Sequence, residues 1–343
     1  MRHTPTNGPL RAATFLLCSV GSIVLASQVR AQDAAPEAAQ ETSAAVSTEL
    51  DRKRLLTLAD GTVLRVRSRT QDGVWQQRVG RDWLPLTARV VSHRLEREVL
   101  AEARRLEKPI ERKDHRQRAE LARWLAEQGL HPEALSQLDR ILGAEPDHEG
   151  ALRVVSETPI ELELPPEAER DLALRLKALV KTGASGSRAT REVAVHQLRE
   201  LGFSERGERV DLRRVIEVEL TAPQYRRRQF AAFAARRLYP GEMRRKLATR
   251  SILDSWEDVR EEASSALRAA EDVSVIGPAL YALGSENANV RANAAAALGS
   301  MGYEAAVQPL MNHLAAAAQS SGGAPSGVRA NLLVGLQTAY VMD

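Results

Sequence analysis

The sequence predicts a mostly α-helical chain of stacked helix pairs preceded by a small antiparallel β module, and three observations carry that reading. Apolar residues recur at three- and four-residue spacing through most of the chain beyond residue 92. Val259-Arg260 with Ala263, Ala266 and Leu267 returns 31 residues later as Val290-Arg291 with Ala294, Ala297 and Leu298. Residues 53–86 instead hold short β-type runs between the turn pairs Asp60-Gly61, Asp72-Gly73 and Gly80-Arg81. With 343 residues, 43% hydrophobic and 27% charged, the chain is long enough for two or three packed domains, which excludes wholesale disorder and collagen-like structure.

The first 31 residues read as a secretory leader. Positive residues up to Arg11 precede an apolar run from Ala12 to Ala26, followed by a small-residue cleavage site between Ala31 and Gln32. The run is shorter than the roughly 20 residues a spanning helix needs, which favours a cleaved leader over the alternative of a retained membrane anchor, and no other segment has the length and apolarity to span a bilayer. Export to the periplasm or the extracellular space is the implied localisation. Cys18, the sole cysteine, lies inside the leader, so the exported chain has no disulfide, thiol nucleophile or thiolate metal site. Three of the 48 basic residues also lie there, and the 45 that remain match the 45 acidic ones. A general basic footprint for nucleic acid is thereby excluded.

Residues 32–49 have the composition of a disordered tether, and the β module is assigned to residues 50–91 with Leu56, Leu58, Val63 and Val66 as its apolar side. Arg65, Arg67 and Arg69 alternate along one strand near Trp75 and Trp83. They form either a solvated face or a basic aromatic surface that grips a polyanion or a glycan. Ser92 is the expected cap of a helix carrying Leu95, Val99, Ala103 and Leu106 before Pro109.

Within the helical segment 92–158, residues 115–148 read as two antiparallel helices, with Leu121, Ala122 and Leu125 inward in the first, Gly129 as the break, and Ala134, Leu138 and Ile141 in the second. This resembles one tetratricopeptide repeat. Arg118 and Ile141 depart from that pattern, standing where a large apolar and a small residue are expected. Residues 159–187 read as an extended linker carrying Ile160, Leu162 and Leu164, then a helix, then a flexible Gly183-Ala184-Ser185-Gly186-Ser187 joint.

Residues 188–319 hold the strongest internal signal. Pro278 and Pro309 share the 31-residue offset, so the period covers a two-helix unit. Arg191, Ala194 and Leu198 fit the frame upstream, and Arg226 with Phe233 is placed between, giving four pairs that begin near Thr190, Tyr225, Glu257 and Ala288. These pairs resemble HEAT repeats, in the short form also found in phycobilisome-lyase proteins, and with the leader the whole is similar to a bacterial exported HEAT-repeat protein. The resemblance implies an α-solenoid whose recurring alanines allow close helix packing and whose concave face binds a protein partner.

Charge is uneven along the array. Residues 223–250 hold nine basic side chains and one acid, whereas residues 251–289 hold two basic side chains and eight acids. Arg226, Arg227 and Arg237 are the candidate partner-binding residues, for an acidic protein partner rather than nucleic acid. The competing reading pairs them with Glu257, Asp258, Glu261 or Glu262 of the next unit, which would leave the concave face of the last two repeats as the candidate.

No catalytic residue, cofactor site or metal site is assigned. The histidines outside the leader are scattered, no serine sits in a nucleophile elbow, and Asp147 reads as a helix cap. Residues 320–343 read as a Gly/Ser linker and a terminal strand carrying Leu332, Val334, Leu336, Thr338, Tyr340 and Met342. The expected function is an exported, non-catalytic scaffold for protein–protein interaction. The alternatives are a subunit or fragment of a lyase-like enzyme whose catalytic part lies elsewhere, or an envelope module that binds glycan or polyanion.

Overall fold

A computed structural model describes residues 49–169, 171–202 and 211–319. The leader, nearly all of the tether, and the C-terminal linker and strand lie outside the described residues.

Strands β1 (Glu49–Leu58), β2 (Val63–Gln71), β3 (Val74–Val79), β4 (Asp82–Pro85) and β5 (Val90–Leu95) form an antiparallel sheet in the order β4-β3-β2-β1-β5. The β2–β3 hairpin turns on Asp72 and Gly73, both at positive φ, as a two-residue turn matched to strand twist requires. Ser92 is not a helix cap. It pairs with Thr57 across the second edge of β1, and helix α1 (Glu96–Glu107) starts only after Leu95. The four expected apolar residues also split between faces. Leu56, Leu58 and Val66 share one face, while Val63 pairs with Thr57 on the other, beside Leu55, which is 3% exposed.

Both faces of β1 are covered, for different reasons. Leu55 enters a core with Val99 and the helices that follow, and Arg65, its neighbour on β2, forks onto Glu133 with a further bond to Glu96. On the opposite face Arg54 donates to the Ser68 carbonyl and stacks over Trp75, whose ring lies 4.9 Å from that of His93. Trp75 and His93 stand on strands separated by β2 and β1, about 14 Å apart in a flat sheet, so the sheet is curled. Of the alternating arginines, Arg65 therefore faces the helices, and Arg69 lies over Trp83 while bonding Gln76 and Gln71.

Helices α2 (His115–Glu127), α3 (His131–Leu142) and α4 (Glu149–Glu157) complete this first core, with Leu121, Ala122, Leu125, Ala134, Leu138 and Ile141 all buried. The polar intruder Arg118 is buried as well. It donates to Gln137, which donates to Glu107, which also takes Arg140, so its charge is matched without disturbing the packing.

The remaining helices are α5 (Leu172–Ser185), α6 (Arg188–Gly202), α7 (Leu212–Glu219), α8 (Tyr225–Leu238), α9 (Arg244–Leu253), α10 (Glu257–Arg268), α11 (Gly277–Ala282), α12 (Ala288–Met301) and α13 (Val307–Gln319). Four pairs, α6/α7, α8/α9, α10/α11 and α12/α13, build a second core lined by alanines and by Phe230, Phe233, Leu247, Leu267 and Leu298. Helix α5 packs on α6 and α8 as α9 packs on α10 and α12, so it holds a second-helix position one step ahead of the first full pair. The two cores meet on α6, where Ala189 and Val193 enter the first and Ala194 and Leu198 the second. Leu162 of the extended linker touches both, and the Ile160 carbonyl accepts from Gln197.

The segment read as a flexible joint is a tight corner. Gly183 is a buried residue of α5, and only Ser187 separates the C-cap Gly186 from α6, with its hydroxyl bonded to Thr190. A Cβ on Gly183 would overlap the ring of Phe230, itself fully buried. Gly183→Ala is therefore expected to destabilise the chain by about 1–3 kcal/mol, despite the roughly 1 kcal/mol that alanine gains in a helix. Denaturant unfolding checks this, and a variant as stable as the parent would show that α5 and α8 do not approach this closely.

Candidate binding surface

The first helices α8, α10 and α12 are each anchored by an arginine that turns back onto the loop before it, whereas Arg191 of α6 donates to Gln229 of α8. Arg228 donates to the Ala222 and Pro223 carbonyls at 2.8 and 2.9 Å, Arg260 to Asp254 at 3.0 Å, and Arg291 to Ser285 and Glu286 at 2.6 and 2.8 Å. The first acceptor always lies six residues upstream. The frame arginine of the second pair is therefore Arg228, followed by Ala231 and Ala235, and the placement on Arg226 and Phe233 is out of register by two. An arginine run hides the register, because three consecutive residues offer the same side chain.

The other edge of Arg228 forks onto Asp254, with bonds of 2.7 and 2.8 Å to a carboxylate whose side chain is fully buried. Asp254 also accepts from the Trp256 amide and from Arg250, while its carbonyl takes Arg260. Burial works to raise the Asp254 pKa, but the Arg228 bonds, the Trp256 amide and the charges of Arg228 and Arg250 hold it below the ordinary 3.8.

The three arginines selected from the charge map have different surroundings. Arg226 is exposed, donates to the hydroxyl of Tyr225 and lies over its ring, and Tyr225 in turn stacks on Trp256 at 4.1 Å. Arg227 is bonded through two nitrogens to Glu219 at the end of α7. Arg237 bonds Glu192 on α6 and Asp147 in the α3–α4 loop. Burial pushes the Glu192 carboxyl up, against the pull of Arg237 and the charges of Arg188 and Arg236. Among the acids of the following unit, Glu262 approaches Arg236 at 3.7 Å. Asp147 is thus an ion-pair partner, and the cap of α4 is His148, whose Nδ1 accepts from the Ala151 amide.

A groove of about 860 Å³ opens on the layer of second helices, between α9 and α11. Ile252, Leu253, Val275, Pro278 and Tyr281 line it, with Tyr281 89% and Leu253 59% exposed. Arg244, on the same lining, is held by Asp272 and the Gly241 carbonyl, whereas the exposed Arg245 side chain has no ion-pair partner among the described residues. Carboxylates and imidazoles are absent from this lining, so it offers apolar contact and a cation but no general base. The groove is a matter of shape between two helices, and residue spacing does not report it.

Residues 246–321 match the family model of HEAT repeats, and HEAT repeats generally serve as protein-interaction scaffolds. No curated protein matches the chain. Among solved structures, the crystal structure of an engineered protein is similar at 16% identity over 70% of this chain and 97% of that chain, with a TM-score of 0.27. No helix among the described residues is long and apolar enough to cross a membrane.

Asp254→Asn would leave Arg228 buried with half its partner gone, and a loss of about 3–5 kcal/mol in unfolding free energy is expected. Because the Asp254 pKa is depressed by folding, its contribution is complete above pH 3.8 and is lost as pH falls through the folded value. The stability difference between parent and variant should therefore shrink below about pH 4. A pH-independent difference in urea titrations would rule out ionised Asp254 as the source.

Proposed function

We propose that the chain is an exported, non-catalytic scaffold that holds a protein partner on its repeat layer, with the α9–α11 groove as the principal contact. The observation that carries this is the apolar groove with its exposed Tyr281 and Leu253 beside the unpaired cation of Arg245. Large apolar side chains held this far out on a packed layer gain most by being covered. The occupant best matched to them is a segment of an acidic protein that places an apolar side chain next to a carboxylate. The HEAT match over residues 246–321 supports a binding role for this region. The Arg-flanked apolar leader and the Ala31-Gln32 site support export.

Arg226 is proposed as a second contact, since it stands exposed beside the Tyr225–Trp256 stack. Arg227 and Arg237 also hold Glu219 and Glu192, so reversing either to Glu sets like charges together within the fold.

A photo-crosslinking side chain at position 281 identifies the segment that occupies the groove. Tyr281→Asp with Arg245→Glu should then weaken binding of that segment at least about tenfold while leaving the melting temperature unchanged. Arg227→Glu and Arg237→Glu should lower the melting temperature whatever they do to binding. Undiminished binding by the Tyr281/Arg245 variant removes the groove from the proposal.

The export half is checked by intact mass of protein from the native host. An N-terminus near Gln32 is expected, and full-length chain in the cytosol refutes it.

A further inference from the structure

The structure brings His115 to the loop between α3 and α4, which carries Glu145 and His148. His115 opens α2, Glu145 lies in the loop after α3, and His148 caps α4. One donor atom from each lies within 4.8 Å of the other two. His115 Nδ1 is 3.1 Å from Glu145 Oε1, and the His148 ring meets that of His115 edge-on at 5.6 Å between centroids. We propose that His115, Glu145 and His148 form a binding site for one divalent transition-metal ion of the zinc class, with the fourth position left to water.

Geometry and donor type both favour that class. Nitrogen and oxygen donors at about 2.0–2.1 Å from a tetrahedral ion stand about 3.3 Å from one another, so the His115–Glu145 edge already has the required length. The widest gap needs to close by at most about 1.5 Å, the scale of a side-chain rotation. Two imidazoles with one carboxylate suit zinc rather than magnesium or calcium, which take oxygen donors in larger number. Glu145 and His148 are separated by Pro146 and Asp147 alone, a spacing that lets one loop supply two ligands.

Binding exchanges weak contacts for coordinate bonds. His148 Nδ1 accepts the Ala151 amide at a long 3.2 Å, and the same lone pair would serve the ion, releasing that amide to solvent in the first turn of α4. His115 would ligate through Nδ1 and carry its proton on Nε2, replacing its hydrogen bond to Glu145. No change in oxidation state is involved.

The positive ends of α2 and α4 oppose a cation. Against them stand the Asp114 carboxylate that caps α2 and Glu145 itself. The nearby cations are already neutralised, Arg116 by Glu120, Arg153 by Glu149 and Arg237 by Asp147. The consequence is mechanical. An ion here would tie the start of α2 to the same loop whose Asp147 holds Arg237 of α8, and so would stiffen the seam between the first core and the repeats.

The test uses the chain without a histidine tag. Calorimetric titration with ZnCl₂ should give one ion per chain, and the melting temperature should rise by about 5 °C at hundredfold excess over the dissociation constant, with no response to Mg²⁺. His148→Asn keeps a good helix cap but loses the imidazole, so it should melt like the parent without metal and lose the zinc response. His115→Gln should lose the response too, and decides the matter if the first variant folds poorly. Absence of stoichiometric zinc binding, or a parent-like response in the variants, overturns the site.

Discussion

A guanidinium that turns back onto carbonyls six residues upstream sets where the first helices α8, α10 and α12 begin. The loop entering a helix pair leaves backbone carbonyls pointing inward, and a buried acceptor without a partner costs about as much as a lost hydrogen bond. Arg228, Arg260 and Arg291 satisfy those acceptors from the second turn of the helix that follows, so loop and helix are fixed together. Arg228 does more than its counterparts, because its second edge holds the Asp254 carboxylate while Arg260 holds the Asp254 carbonyl. Two successive pairs therefore share one buried acid. The alanines at the third and sixth positions after each anchor, such as Ala231 and Ala234, then allow the first helices to close on one another.

That regular first layer is the frame on which an irregular second layer rests. Helix α11 has six residues and opens with Gly277-Pro278, whereas its neighbour α9 has ten. The shorter helix leaves part of the α9 flank uncovered, which is where Ile252, Leu253 and Tyr281 line the groove. The same layer presents Val218 on α7 and Met311 on α13, so each second helix of a pair carries one exposed large apolar side chain. The first layer is thus regular from pair to pair, and the second one carries the irregular surface.

Much of this was legible because it repeats. The 31-residue offset reports alanine and arginine positions whose physical demands recur in each pair, and the helix starts at Tyr225, Glu257 and Ala288 follow from it. What was not legible depended on long-range contact. Gly183 has the composition of a joint, and only the approach of Phe230 makes it a packing residue. Ser92 has the chemistry of a cap, and only the open edge of β1 turns it into a strand residue. His115 comes from a segment separate from the loop that carries Glu145 and His148, and no local spacing rule connects the two. Arg118 departs from the tetratricopeptide pattern, and its partners Gln137 and Glu107 lie on the helices to either side.

The basic stripe shows why a charge map overstates what a partner can use. Of its nine cations, Arg227, Arg228, Arg236, Arg237, Arg244, Lys246 and Arg250 each approach a carboxylate of this chain, spread from Asp147 to Asp272. Those partners lie as far as 90 residues away in sequence, so a window of residues counts the arginines and misses the acids that neutralise them. Arg226 and Arg245 are left, the one beside the Tyr225–Trp256 stack and the other on the groove lining that also carries Tyr281. A cation at the margin of an apolar contact orients a ligand and speeds encounter, whereas affinity follows the apolar area that is covered. The charge that looked like a binding determinant is therefore mostly taken up within the chain, and the aromatic and aliphatic side chains beside the short α11 are what the second layer leaves uncovered.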